Sequence, residues 1–386
     1  MSTYLQKGTI PRKRHTIFRK EDGSLFREQV MGTKGFSGIQ SILYHHNPPT
    51  QFYKSAIYAE RKVDYEEQGA LRPRHFFTDQ AAKEPCDAVM GREYVLGNDD
   101  ILIGVVSPSE KMNYFYRNSD GDELLFVHRG SGKIETTFGT LHYQSGDYIV
   151  IPIGTIYRVV PNESESKFLI VETNSWITTP KRYRNEFGQL LEHSPFCERD
   201  IKGPEQLETF TEKGEFEVRT KSRNYLHLHY YAHHPFDVVG WDGYLYPWIF
   251  NIADFEPITG RIHMPPPIHQ TFEGHNFVIC SFVPRLYDYH PEAIPAPYFH
   301  SNIDSDEVLY YVEGNFMSRK GVKEESITLH PSGIPHGPHP GKAEDSIGKK
   351  ETLELAVMID TFNPLKVVKK AQTFEDENYQ YSWVEK

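Results

Sequence analysis

Apolar and polar residues alternate along most of this chain in short runs, and the 3.6-residue period of a helix is scarce. From Ile101 onward the alternation is clearest. Glu123-Leu-Leu-Phe-Val-His-Arg-Gly130 is followed by Lys133–Phe138, Tyr148–Ile151 and Pro152-Ile-Gly-Thr-Ile-Tyr157, with Gly146-Asp147 as punctuation. Short alternating runs closed by Gly and Pro predict antiparallel strands of a sandwich or small barrel. The same texture returns in Phe277–Val283, Val308–Val312, Ile327–Leu329 and Leu353–Asp360. Elsewhere the signal is weaker. Phe18–Phe26 reads as two extended runs around a turn at Glu21-Asp22-Gly23-Ser24, and Tyr44-His45-His46-Asn47-Pro48-Pro49 as an exposed loop. Residues 61–99 are charged and irregular, with a short helix expected near Asp79–Lys83, and Pro364–Lys386 forms an amphiphilic tail.

Two landmarks occur twice and in the same order, the first of them 184 residues apart. Glu123 to Gly130 and Glu307 to Gly314 both read Glu, six residues, Gly; Pro152 to Tyr157 and Pro331 to His336 both read Pro-x-Gly, two residues, then a ring. Recurrence in the same order predicts an internal duplication and two related β-barrels. The copies differ in chemistry. The approach to Glu123, Tyr116-Arg-Asn-Ser-Asp-Gly-Asp, contains no histidine, whereas His300 precedes Glu307 and His336 ends the second turn.

His300, Glu307 and His336 form a candidate metal site, because two imidazoles and a carboxylate with open positions suit Fe(II), and also Mn(II) or catalytic Zn. Along an unbroken strand, residues seven apart face opposite sides. His300 and Glu307 therefore need a turn between them, for which Asn302-Ile-Asp-Ser-Asp306 is suited. Asp306 is the rival carboxylate; Glu307 is preferred because its run to Gly314 matches the first copy. His330, at a strand end, is a candidate to orient a ligand or the substrate, and His339 is expected at the rim. Any one of these histidines is more often an ordinary polar residue. The set, with its Gly and Pro markers and a degenerate copy, carries the inference.

Composition narrows the classes. A net charge of -11 with no basic stripe argues against nucleic acid. Three scattered cysteines argue against a disulfide framework or a thiolate cage. The N-terminus has no apolar leader core and nothing approaches a membrane span, so a cytoplasmic protein is expected. The 19 histidines and 24 tyrosines suit a polar, aromatic-lined pocket around a metal.

Glu-x6-Gly and Pro-x-Gly-x2-His are landmarks of the cupin superfamily. Together with Pro235-Phe-Asp-Val-Val-Gly-Trp241, Pro297-Tyr-Phe-His300-Ser-Asn302 and Pro335-His336-Gly-Pro338, they resemble the homogentisate 1,2-dioxygenase family. The resemblance implies an all-β fold of two cupin-type (double-stranded β-helix) barrels with few short helices. Residues 1–180 would hold a metal-free barrel and its extension, 181–290 a connecting region, and 291–386 the metal-binding barrel and tail. It further implies Fe(II) held by His300, Glu307 and His336, an acid/base role for His263 (with His269 as the second choice), and substrate contacts from Asn302, Phe316 and His336, beside which His330 stays a catalytic candidate that supports a ligand or the substrate. The reaction implied is cleavage of homogentisate by O2 to maleylacetoacetate in tyrosine and phenylalanine catabolism, in a homotrimer or hexamer.

Two departures bear on substrate. Phe316 stands where the family has a tyrosine, and Ser301 where it usually has an arginine beside the first ligand; the His300–Glu307 spacing is one residue longer than usual. A lost phenol and guanidinium remove hydrogen bonds to a hydroxyl and a carboxylate. Gentisate or another hydroquinone-type ring is therefore the alternative substrate. A zinc or manganese isomerase and a non-catalytic bicupin are the alternatives on this scaffold.

Overall fold

A computed structural model describes residues 3–67, 69–81, 84–162, 165–296, 298–314, 316 and 321–384. Among them strands dominate, and the one α-helix is Lys342–Ser346. Three large sheets stack as layers. The central, eight-stranded sheet has Glu123–Arg129 in its interior between Asp147–Ile151 and Lys167–Thr173. Its alternation is buried on both faces. Leu125, Val127, Ile149 and Ile170 pack with Ile134, Leu141 and Val159 of the seven-stranded sheet, which closes the first barrel. Leu124, Phe126, Val150 and Leu169 point the other way and pack with Val308, Tyr310, Ile327 and Ile359 of the six-stranded sheet. A strand buried on both faces reads as a nearly continuous apolar run, as Leu124–Val127 does.

The six-stranded sheet, built around Asp306–Glu313, Ser326–His330 and Leu355–Thr361, belongs to the second barrel. Even-numbered Val308, Tyr310 and Val312 face the shared core, so odd-numbered Glu307, Leu309 and Tyr311 face the opposite side. That opposite side carries the candidate site. The short pair Arg285–Leu286 with Glu351–Thr352 and a bridge between His300 and His336 form the layer across from it.

The duplicated landmarks hold equivalent places in strand pairing. Glu123 pairs with Ile151 and Glu172, and Glu307 with His330 and Asp360. Gly130 and Gly314, ending the two strands, have φ of +100° and +107°, a conformation that side chains other than glycine's rarely adopt.

Three expectations differ. The strands Ile201–Lys202, Lys213–Ser222, Tyr225–His233 and Trp248–Asn251, within the expected connecting region, complete both sheets of the first barrel. His45 ends the strand Gln40–His45 rather than an exposed loop; it is buried, 2.7 Å from Asp237 and 2.8 Å from Gln29. Near Asp79 there is a 3-10 turn, Thr78–Gln80, while residues 82 and 83 lie outside the described residues. The Pro235–Trp241 run serves the fold: Asp237 accepts hydrogen bonds from Asn47, and the Trp241 indole donates to the Phe138 carbonyl at 2.8 Å.

Candidate active site

His300 and His336 come from loops that lie side by side. Each backbone N–H donates to the other's carbonyl at 2.8 Å, and their rings sit 4.2 Å apart. Bends at Ile303 and Asp304 separate His300 from the strand that begins at Asp306, which supplies the turn the seven-residue spacing requires. Glu307 then faces both imidazoles. Its oxygens lie 3.6 Å from His300 Nε2 and 3.5 Å from His336 Nε2, and one ligand atom from each of the three falls within 4.8 Å of the others.

Asp306 points away from this cluster. Ser332 N–H donates to its Oδ1 at 2.8 Å and Leu365 N–H to its Oδ2 at 2.7 Å, so both oxygens hold backbone. Period two made this outcome necessary once Glu307 faced the imidazoles.

His330, fully buried, stands behind the triad. Nδ1 lies 2.9 Å from Glu307 Oε1, Nε2 lies 3.2 Å from the Tyr379 hydroxyl, and the ring stacks on His336 at 4.7 Å. It orients Glu307 and does not line the cavity. His339 is buried too, against Trp383 and 3.0 Å from Ser382, rather than at the rim. The tail thus folds back as 3-10 turns and closes the rear of the site.

The electrostatics agree with a cation at this point. Burial pushes the Glu307 carboxyl up, but the facing imidazoles of His300, His330 and His336 outweigh it and hold it well below the usual carboxylate range. The buried His336 ring has no hydrogen-bond partner on either nitrogen. A buried imidazole left so, beside an ionised carboxylate and a second imidazole, fits a divalent ion of the iron class.

A cavity of about 160 Å³ opens from the triad, with His300 and Glu307 in its wall. Leu309, Tyr311, Phe316 and Tyr298 make it aromatic and apolar, and His263, His269, Arg285 and Glu354 add polar groups. His263 is partly exposed, 3.6 Å from Asp288 and edge-on to Tyr298. His269 is buried against Phe282, and burial first, then the charge of Arg285, pushes it down to about 3. Both candidate acid/base histidines therefore reach the cavity. Asn302 is not among the residues that line it.

Sequence reasoning did not find Arg285, Tyr298 or Tyr311. Tyr311 was within reach, since it shares the parity of Glu307 on one strand. Arg285 carries no local signal, because its place depends on a pairing with Thr352.

The first barrel repeats the geometry with other chemistry. Tyr116 pairs with Tyr157 as His300 pairs with His336, and Tyr116 precedes Glu123 by the same seven residues. A guanidinium occupies the centre: Arg92 donates to Glu123 at 2.6 Å, to Glu172 at 2.5 Å and to the Tyr157 hydroxyl at 3.0 Å. Two side-chain cations, Arg92 and the Lys221 that also pairs Glu172, thereby neutralise the two buried carboxylates.

The homogentisate 1,2-dioxygenase N-terminal family model matches residues 41–252. A protein of Saccharolobus solfataricus, provisionally named a dioxygenase, is 41% identical over 386 residues, spanning 99% of each chain. Homogentisate 1,2-dioxygenase of Legionella pneumophila is 25% identical over 353 residues, covering 86% of this chain and 82% of its own. Among solved structures, a cupin 2 conserved barrel domain protein from Leptotrichia buccalis aligns with 79% of this chain and 100% of its own, at 10% identity and a TM-score of 0.35. A family match across more than half the sequence, joined to an end-to-end relative at 41% identity, leads to one conclusion: the chain belongs to the homogentisate 1,2-dioxygenase family.

Proposed function

We propose that the protein is an Fe(II)-dependent, ring-cleaving dioxygenase whose substrate is homogentisate, opened by O2 to maleylacetoacetate in tyrosine and phenylalanine catabolism. The observation that carries this reading is the convergence of His300, Glu307 and His336, with His300 and Glu307 in the wall of an aromatic-lined cavity. We further propose a cytoplasmic homo-oligomer, a trimer or hexamer, from the family resemblance.

His300, Glu307 and His336 would hold the iron, which when bound offers open positions through which a phenolate and O2 can exchange electrons. The chain's own groups do the rest. His330 fixes Glu307 from behind and keeps one carboxylate orientation. Tyr298, Tyr311 and Phe316 wall the space in which a ring would lie. His263, backed by Asp288, is the group suited to take a proton from a ring hydroxyl, because it combines a cavity position with access to solvent. Phe316 cannot hydrogen-bond a hydroxyl, so orientation of the ring falls to the polar groups that line the cavity.

Oxygen uptake by anaerobically purified protein, with homogentisate, gentisate and hydroquinone in parallel, tests the proposal. Homogentisate should be consumed with one O2 per ring, and a selective Fe(II) chelator should stop the reaction. Faster uptake with gentisate would move the substrate to that ring. Turnover of a substrate without O2, insensitive to the chelator, would replace the oxygenase by an isomerase.

A further inference from the structure

The histidines and charged side chains around the cavity fall into pairs. His263 faces Asp288 at 3.6 Å, Arg285 faces Glu354 at 3.0 Å, and His300 faces Glu307 at 3.6 Å. His269 is left over. It is 6% exposed, lines the cavity, and its Nδ1 has no hydrogen-bond partner. A buried polar atom without a partner costs stability unless a ligand or water satisfies it.

Arg285 belongs to the same end of the cavity. The His269 ring lies 4.5 Å from the Phe282 ring, and the Arg285 guanidinium carbon 5.3 Å from that ring, so both flank one phenyl group. Arg285 uses one terminal nitrogen on the Val283 carbonyl and the other on Glu354. A guanidinium carries five N–H donors, so these two contacts fix its plane and leave donors for a ligand. Val283 and Glu354 thereby aim it.

Resting on the reading of this cavity as the ring-cleaving site, we propose that Arg285 and His269 together bind a carboxylate carried by the aromatic substrate. Arg285 supplies the positive charge and His269 a neutral N–H.

Calorimetry under argon with the iron-loaded protein tests the subsite, comparing 2,5-dihydroxyphenylacetate with its primary amide. The wild type should bind the acid about 10- to 100-fold more tightly than the amide, the range of a charge-assisted hydrogen bond. Arg285→Gln should erase that preference and leave amide binding unchanged; His269→Phe should reduce it several-fold. Glu354→Gln, which releases Arg285 from its partner, should strengthen acid binding, and it carries the test if Arg285→Gln does not fold. No preference for the acid in the wild type, or equal weakening of both ligands in Arg285→Gln, would overturn the proposal. Acid preference through Arg285 without any ring cleavage would keep the subsite and end the dioxygenase reading. Ring cleavage with acid binding indifferent to Arg285 would do the reverse.

Discussion

Single residues decide which of the two matched sites could hold a metal ion. In the second barrel Glu307 meets imidazoles; in the first, Glu123 meets tyrosines and Arg92. Arg92 is buried among Glu123 and Glu172, and the ion pairs outweigh the burial that disfavours its charge. Replacing it by Met leaves Glu123 buried without its cation, while Glu172 keeps Lys221, and an unpaired buried charge of this kind costs about 3–5 kcal/mol. Urea unfolding of Arg92→Met should show a loss of this size. A loss under about 1 kcal/mol, the value of an exposed pair, would contradict the role given to it. His330 is the corresponding support in the second barrel. His330→Phe should keep the ring volume, free Glu307 to rotate, and weaken iron affinity about 10- to 100-fold, measured by competition with a chelator. These roles were only half legible in the sequence. Glu307 and His336 stood out because Gly314 and Gly333 mark their offsets. Tyr116 and Arg92 did not: tyrosine is a common core residue, and Arg92 reaches Glu123 from 31 positions away.

Among elements, the turns that close the landmark strands bear the most weight. Gly314 holds φ at +107°, and a Cβ there would stand 2.8 Å from the Leu353 carbonyl oxygen. Gly314→Ala should therefore destabilise the protein by more than about 1 kcal/mol in chemical denaturation. Strand existence was readable from alternation, as in Val308–Val312, because a two-residue period needs only local sequence. Sheet membership was not. The strands within residues 201–251 join the first barrel through pairs such as Val218 with Phe115 and Tyr148 with Phe250, contacts that span about 100 residues. The tail was unreadable for the same reason. Tyr379 and Trp383 take their places by packing on His330 and His339, with no periodicity of their own.

Across the whole molecule, three stacked sheets bury several histidines in neutral form. Burial pushes His128 and His234 down to about 4 and His269 to about 3; nearby Glu325 opposes the shift for His128, and Arg158 adds to it for His234. The unfolded chain titrates these groups near ~6.5, so between about pH 4 and 6.5 it binds more protons than the native state. Stability then falls as pH drops through that window, by up to about 1.4 kcal/mol per pH unit for each group. His234 accepts the Phe236 N–H on Nδ1 and stacks on Phe210. His234→Asn keeps an acceptor near that atom and removes the titration, so its denaturation midpoint should fall less between pH 6.5 and 4.5 than the wild type's. An unchanged acid sensitivity would show that His234 is not among the groups responsible. Among the described residues no helix is long and apolar enough to cross a membrane.

The proposed chemistry requires one ion shared by His300, Glu307 and His336, and iron content per chain measures that most directly. Protein purified under argon should carry close to one iron per chain by elemental analysis, and His336→Ala, with its fold intact by circular dichroism, close to none. Full iron retention in His336→Ala, or a wild type that binds no iron when it is supplied, would contradict it.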